Sequence, residues 1–256
     1  MYTTQLQAGL GQVDATKVLL RLWEPEMSST SLYVIALESG QFPDMTARRL
    51  HNLVAECFTP RYLKQATPAA HYLKRLACVL PNTELLPLFL LYTCRANEVL
   101  NDFISKVYWE RYGAGYRDVG SEEAKIFLER GLDDGKMVKR WSDSTCRKVA
   151  AYLVGCCADY GLLESGMRTR RKILPFRITS ALVAYLAYDL HFSGLGDNAL
   201  LEHPEWALFG LERSEVLEEL KRLARRDFLI VQTAGDAIKI SWSYSSMEAV
   251  CDVLAG

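Results

Sequence analysis

The sequence has none of the short motifs by which many nucleotide-binding and hydrolytic enzymes are recognised. It contains no Walker phosphate loop, no GxGxxG fingerprint, no HExxH zinc motif and no GxSxG nucleophile elbow. The four histidines are widely separated along the chain: His51, His71, His191 and His203. These absences predict a protein that binds a ligand without catalysing a reaction, and without a cofactor or a metal ion.

Cysteine pairs at metal-binding spacing are missing as well. The seven cysteines include no CxxC pair, and an odd number does not fit a complete set of disulfides. The first ten residues lack the layout of a secretory signal peptide. The longest apolar run, residues 85–94, is far shorter than the roughly 20 residues that span a bilayer. We therefore expect a soluble protein of the reducing cytoplasm, with no membrane partner.

Apolar residues at helical spacing occur throughout the first half of the chain. Leu50, Leu53, Val54, Cys57 and Phe58 share one helical face, and a long helix is predicted from about residue 82 to Tyr112. The glycine- and aspartate-rich segment 131–135 then indicates a boundary. The prediction is a mainly α (α+β) fold, with a helical domain over residues 1–135 and a winged-helix-like region over residues 136–256.

Two similar units are predicted in the second half of the chain. In each, a serine-capped helix is followed by two extended segments joined by a turn. Ser142 or Ser144 begins the first helix, and the extended segments lie at Leu162-Leu163 and Arg170–Ile178. The second unit repeats this order with a helix over residues 215–226 and a hairpin over residues 228–243. A helix followed by a small β-hairpin is typical of winged helix-turn-helix domains.

Positive charge is concentrated in the first of these units. Residues 136–177 hold ten basic and three acidic residues, a net charge of +7, although the whole chain has a net charge of -1. Residues 178–256 hold six basic and twelve acidic residues, a net charge of -6. A local basic cluster on a helix and a wing favours contacts to the phosphates of double-stranded DNA.

The predicted DNA-binding residues combine cations with hydroxyls at a helix N-terminus. They are Lys139, Arg140, Ser142, Ser144, Thr145, Arg147, Lys148, Arg168, Arg170, Arg171 and Lys172. On an extended strand, Arg168, Arg170 and Lys172 share one face while Arg171 points to the other. Asn and Gln side chains that read adenine edges are few in this cluster, so we expect weakly sequence-specific binding.

The chain resembles the BrxA family of bacterial BREX phage-defence systems, over about residues 32–179. The resemblance rests on several segments in order: Met45–Arg49, Asn101–Phe103, Trp141-Ser142, Thr145, Lys148, Gly161–Leu163 and Ile173–Pro175. It implies a helical N-terminal region, a winged-helix-like C-terminal region and DNA binding without a known enzymatic activity. It also implies a role beside a methyltransferase and ATPases encoded at the same locus, and hence other BREX proteins as partners.

Two alternative functions remain open at the level of sequence. The basic segment fits an acidic protein partner as well as DNA, which would make the chain an interaction scaffold within the defence complex. Winged helices are also common in transcriptional regulators, which bind one preferred operator sequence.

Overall fold

The secondary structure is predominantly helical. The computed structural model describes residues 1–8, 10–166, 169–235 and 237–256. In this part of the chain the α-helices are α1 (Val13–Leu22), α2 (Ser29–Glu38), α3 (Ala47–Asn52), α4 (Thr59–Tyr62), α5 (Ala69–Val79), α6 (Asn82–Ala96), α7 (Glu98–Phe103), α8 (Trp109–Gly113), α9 (Ser121–Asp133), α10 (Asp143–Asp159), α11 (Ser180–Phe192), α12 (Asp197–Leu201), α13 (Arg213–Ala224) and α14 (Met247–Leu254). The strands are β1 (Asp118–Gly120), β2 (Arg170–Lys172), β3 (Leu229–Ala234) and β4 (Ala237–Trp242). The predicted mainly α (α+β) class is confirmed.

Two π-helical segments join shorter helices into longer ones. Leu53–Phe58 connects α3 to α4, and Ile104–Tyr108 connects α7 to α8. The apolar face predicted for the first of these is buried, including Leu53, Cys57 and Phe58. Short 3-10 helices lie at Gln5–Ala8 and Pro204–Phe209.

The long helix predicted to end near Tyr112 is interrupted at Asn97. This residue has extended backbone angles, φ -136° and ψ 90°, and its side-chain Nδ2 donates to the Thr93 carbonyl at 2.8 Å. Asparagine competes for backbone hydrogen bonds in this way, which lowers its tendency to continue a helix. The single long helix was therefore a wrong prediction: α6 ends at Ala96 and α7 begins at Glu98.

The first sheet differs from the two-stranded wing that the sequence predicts. Strand β2 pairs with β1, with Asp118 opposite Lys172 and Gly120 opposite Arg170. On its other side the predicted partner is present as an isolated bridge between Leu163 and Ile173. The strand predicted to reach Ile178 ends at Lys172, shortly before Pro175, which has no N–H to donate. We call residues 118–174 the first unit.

Residues 180–254 form the second unit, whose hairpin follows the prediction. Strands β3 and β4 pair from Leu229 opposite Trp242 to Ala234 opposite Ala237. In β4 the apolar Ile240 is buried, whereas Lys239 is exposed. Helix α11 is buried on nearly all sides and lies at the centre of this unit. Helix α14, which the sequence analysis did not predict, packs against α11.

One hydrophobic core runs across the predicted boundary at residue 135. Leu128 of α9 and Val149 of α10 belong to the same cluster of buried residues as Leu88 of α6 and Leu186 of α11. The division into domains 1–135 and 136–256 stays a prediction. In the described residues, no helix combines the length and the apolar character needed to cross a membrane.

Candidate nucleic-acid interface

The N-terminus of α10 is built by a cluster of hydroxyl side chains. Ser142 is the N-cap, and its Oγ accepts from the Thr145 backbone N–H at 3.2 Å. The same Oγ lies 2.8 Å from Oγ1 of Thr145 and 3.1 Å from Oγ of Ser144. Ser142 and Ser144 are exposed and Thr145 is half-buried. The predicted cap is confirmed, and its hydroxyls are placed beside free backbone N–H groups, as in many phosphate sites.

Three exposed cations flank this helix start. Lys139 and Arg140 lie in the connection between α9 and α10, and Lys148 lies one and a half turns into α10. Within the described residues, none of the three has a carboxylate partner in ion-pair range. We call Lys139, Arg140 and Lys148 the cation triplet. Because their charges are not neutralised by the protein, they are available to an external anion.

Arg147 differs from the cation triplet because it is partly neutralised. Its Nη2 lies 3.0 Å from Oδ2 of Asp143, one helical turn earlier, and both side chains are largely exposed. Such surface pairs are weak, so the guanidinium can exchange its carboxylate for a phosphate at small cost.

The cations predicted for the wing are in three different situations. Arg170 and Lys172 are exposed on one face of β2, and Arg171 is half-buried on the other, which confirms the predicted alternation. Arg171 donates from Nη1 to the Glu164 carbonyl at 3.3 Å. Arg168 lies outside the described residues.

Arg170 is held by carboxylates of the preceding strand and helix. Its Nε and Nη2 donate to Oδ1 of Asp118 at 2.8 and 2.5 Å, and Nη2 also donates to Oε1 of Glu123 at 2.9 Å. The hydrogen bonds that Arg170 donates to Asp118 and Glu123 raise the pKa of Arg170. Arg170 is thus a structural link between β2 and β1, whereas the sequence treats it as a free wing cation. The sequence could not indicate this because β1 was not predicted.

Glu123 is the acidic centre of this link. Burial raises the pKa of its carboxyl, but backbone N–H groups, Arg170 and Arg111 outweigh burial and hold that pKa below its ordinary value. Its side chain also accepts from the Gly120 N–H at 2.9 Å, which caps α9. The sequence analysis missed Glu123 as part of the site, and also missed Arg117, an exposed cation directly before β1 whose carbonyl accepts from the Ile173 N–H at 2.9 Å.

In the second unit, the cations of helix α13 are paired with carboxylates. On α13, Lys221 pairs with Glu218 at 2.8 Å and Arg222 pairs with Glu219 at 2.5 Å. Arg213 pairs with Glu202 at 3.0 Å. The charges on this helix are therefore largely neutralised within the unit. No group of three or more His, Cys, Asp or Glu side chains that could hold a metal ion is found among the described residues.

These features define a class of helical protein. In it, one helix begins with a basic segment capped by hydroxyls, and an arginine joins two strands. A family model described as BrxA matches residues 1–189 of the 256-residue chain. The chain therefore belongs to the BrxA family, and as a BrxA-family protein it is a component of a BREX phage-defence system.

The other comparisons concern curated proteins and the fold. No curated protein matches the chain. A crystal structure of an uncharacterized protein from Magnetospirillum magneticum is similar, with a TM-score of 0.59 and 13% sequence identity over 81% of this chain and 97% of that chain. At this identity the similarity shows a shared fold alone.

Proposed function

We propose that the protein is a non-enzymatic, DNA-binding component of its BREX system that contacts duplex DNA mainly through phosphates. The observation that carries this proposal is the cation triplet beside the serine-capped start of α10. The three cations and the three clustered hydroxyls lie within ten residues of the chain, 139–148, and all of them except the half-buried Thr145 are exposed. Cations and hydroxyls at a helix N-terminus are the groups that proteins commonly use to bind phosphates.

The order of elements in the first unit supports the same function. Strand β1 is followed by α9 and α10, and then by two antiparallel segments of which β2 is the inner one, between β1 and residue Leu163. We interpret this as a winged helix in which α10 is the recognition helix and the antiparallel segments at Leu163 and β2 belong to the wing. In such domains the recognition helix enters the major groove.

Binding of unrelated duplexes across a salt range tests the proposal. Fluorescence anisotropy with two random 30-base-pair duplexes is expected to show similar affinities that fall steeply with salt concentration. The variant Lys139→Ala/Arg140→Ala/Lys148→Ala is expected to weaken binding to both duplexes and to reduce the salt slope by roughly one unit for each lost phosphate contact.

A matched control separates the site from net charge. Arg48→Ala/Arg49→Ala/Lys64→Ala removes three exposed cations from the helical region and changes the net charge by the same amount. We expect its salt slope to equal that of the unaltered protein. Equal losses in the two variants, or no DNA binding by the unaltered protein, would contradict the proposal.

Weak sequence preference is part of the proposal. The exposed residues of the predicted DNA-binding set near α10 are Lys, Arg and Ser, which contact phosphates more than they distinguish bases. A single site preferred by ~10³-fold or more over random duplex would instead favour a transcriptional regulator.

A second candidate function, a protein-interaction scaffold, is favoured by the surface of α2. Val34, Ile35 and Leu37 on this helix are 42%, 37% and 47% exposed. Neighbouring exposed apolar side chains are a feature of protein interfaces. The two functions are compatible, because α2 and the cation triplet belong to different parts of the chain. If a BREX partner protein binds here, Val34→Lys is expected to abolish that binding and to leave DNA affinity unchanged.

A further inference from the structure

A cleft of about 610 Å³ lies where the helical region meets the second unit. The end of α6 forms one wall and the end of α11 the opposite wall. The rest of the lining includes His203, Glu205 and Met247 at the start of α14. This volume is within the ~300–1,000 Å³ that is usual for small-ligand sites.

An ion cluster with an excess of negative charge lies in the cleft. Arg95 donates from Nε and Nη2 to the two carboxylate oxygens of Glu205, at 2.6 and 2.7 Å, and from Nη2 to Oδ2 of Asp189 at 2.6 Å. All three side chains are mostly buried, with exposures of 23%, 15% and 20%. His203 also lines the cleft, with Nδ1 3.8 Å from Oε2 of Glu205, but this nitrogen accepts from the Glu205 N–H at 3.4 Å. Arg95 is therefore the permanent cation that neutralises two carboxylates. A carboxylate without full compensation is costly in a mostly buried place, and a second cation would remove that cost.

Aromatic rings and an unused acceptor surround the ion cluster. The guanidinium of Arg95 lies 5.0 Å from the ring centroid of Tyr92, so one cation–π contact already exists in the wall. Tyr72 and Phe192 line the same cleft, and Phe192 is 41% exposed. Gln65 also lines it, and its Oε1 is buried without a hydrogen-bond partner in the described part of the chain. Ring faces and acceptors without donors are the surroundings that an organic cation requires.

We propose that this cleft binds a primary ammonium or guanidinium group. The cation contacts the carboxylate of Asp189 and the rings of Tyr72 and Phe192, and donates to Gln65. Two sources supply this chemistry: a free polyamine, or a Lys or Arg side chain of a protein partner. The proposal does not rest on DNA binding, because none of these residues belongs to the first unit.

Calorimetry and thermal-shift measurements with four probes test the proposal on the full chain. The probes are spermidine, N-acetyl-lysine methylamide, N-acetyl-arginine methylamide and the uncharged N-acetyl-norleucine methylamide. At least one cationic probe is expected to bind and to raise the melting temperature, whereas the norleucine probe is not. Binding of spermidine alone identifies a free amine, and binding of a capped amino acid identifies a protein side chain.

Two variants and a control place the binding in the cleft. Asp189→Asn removes the excess charge and keeps an acceptor for Arg95, and we expect it to raise the Kd of the bound probe roughly tenfold. Phe192→Ala removes a half-exposed ring, and we expect a rise of roughly threefold or more. Tyr116→Ala, which removes a 55% exposed ring outside the cleft, is expected to have no effect.

Several results would overturn the proposal. These are no heat and no melting shift with any cationic probe, equal binding of the norleucine probe, or an unchanged Kd in folded Phe192→Ala. Asp189→Asn disturbs an ion pair and needs a circular-dichroism check of its fold. If it does not fold, Phe192→Ala decides alone, because its ring is partly exposed and its loss leaves the ion cluster intact.

Discussion

The first and second units share an order of elements but differ in charge. Each has a helix followed by two antiparallel segments, α10 before β2 and α13 before the β3–β4 hairpin. The first unit, residues 118–174, holds eleven basic and nine acidic residues, a net charge of +2, and nine of its basic residues follow residue 135. The second unit, residues 180–254, holds six basic and twelve acidic residues, a net charge of -6. In the first unit the cation triplet has no carboxylate partner in the described structure, whereas α13 pairs Lys221 and Arg222 with its own glutamates. The comparison teaches that a similar architecture does not imply a similar ligand, which depends on the surface groups.

The two units also hold their strands by different means. In the first unit the link is ionic and lies at the surface, from Arg170 to Asp118 and Glu123. In the second unit it is a buried hydroxyl: Tyr188 on α11 donates to the Phe228 carbonyl and accepts from the N–H groups of Ser243 and Tyr244 at 3.1 and 3.3 Å. A buried link contributes more to stability than an exposed one, so the two should respond differently to mutation, pH and salt.

Charge reversal should have the largest effect on DNA affinity, and only in the first unit. Lys139→Glu/Lys148→Glu is expected to lower DNA affinity about a hundredfold or more, because two attractions to phosphate become repulsions. Arg225→Glu/Arg226→Glu makes the same change of net charge on the acidic second unit and is expected to change affinity less than about threefold. Anisotropy at fixed salt measures both. If the second pair has the larger effect, the second unit is the DNA-binding one.

Loss of the Tyr188 hydroxyl should have the next largest effect, on stability. Tyr188→Phe leaves the Tyr244 N–H without its partner, and leaves the Phe228 carbonyl and the Ser243 N–H with only the long 3.4 Å hydrogen bond between them. We therefore expect the free energy of unfolding to fall by roughly 1–3 kcal/mol. Urea denaturation measures this loss, and Tyr116→Phe, at an exposed ring, is the control. DNA affinity of the folded variant should be unchanged. A stability equal to that of the unaltered protein would show that water replaces the hydroxyl and that the hairpin is held by packing alone.

The comparison of the units shows what the sequence can and cannot reveal. Strong local signals in the sequence predicted two features correctly. Ser142 caps α10, and the alternation of Ile238, Ile240 and Trp242 indicates strand β4. Strand β1 has three residues and no periodic pattern, so its pairing with β2 depends on tertiary structure that no local signal contains. For the same reason the partners of Arg170 could not be predicted. Whether the predicted DNA-binding residues bind DNA stays a prediction.

Arg170 and Lys172 are both exposed cations of one strand, but their loss should have different effects on stability and on DNA affinity. Arg170→Ala breaks the link to β1, and we expect a loss of stability of about 1 kcal/mol or less. We expect little change in DNA affinity, because its charge is already neutralised by two carboxylates. Lys172→Ala should leave stability within about 0.5 kcal/mol of the unaltered protein and reduce the salt slope of DNA binding by roughly one unit. Thermal melts and anisotropy of both variants check this, and the reverse pattern would make Arg170 the phosphate contact.

The smallest predicted effect is a dependence of stability on acid that is larger for Glu123 in the first unit than for Glu218 in the second. The pKa of Glu123 is lower in the folded protein than in the unfolded chain, so its ionised form stabilises the fold. That stability is fully present above the ordinary glutamate pKa and is lost as the pH falls through the lowered pKa of the folded state. Between about pH 5 and pH 3, the unaltered protein should therefore lose more stability than Glu123→Gln, by roughly 1 kcal/mol or less.

Glu218→Gln in the second unit is the matched control for this measurement. The hydrogen bond from Lys221 also lowers the pKa of Glu218, but this carboxyl is exposed and screened by water. We expect its variant to follow the unaltered protein at every pH. The lowered pKa values of Glu98 and Asp102 add their own acid dependence. Only the difference between each variant and the unaltered protein is therefore informative, measured by urea denaturation at a series of pH values. Curves that stay parallel for Glu123→Gln would mean that the link from Arg170 is no stronger than the surface pairs of α13.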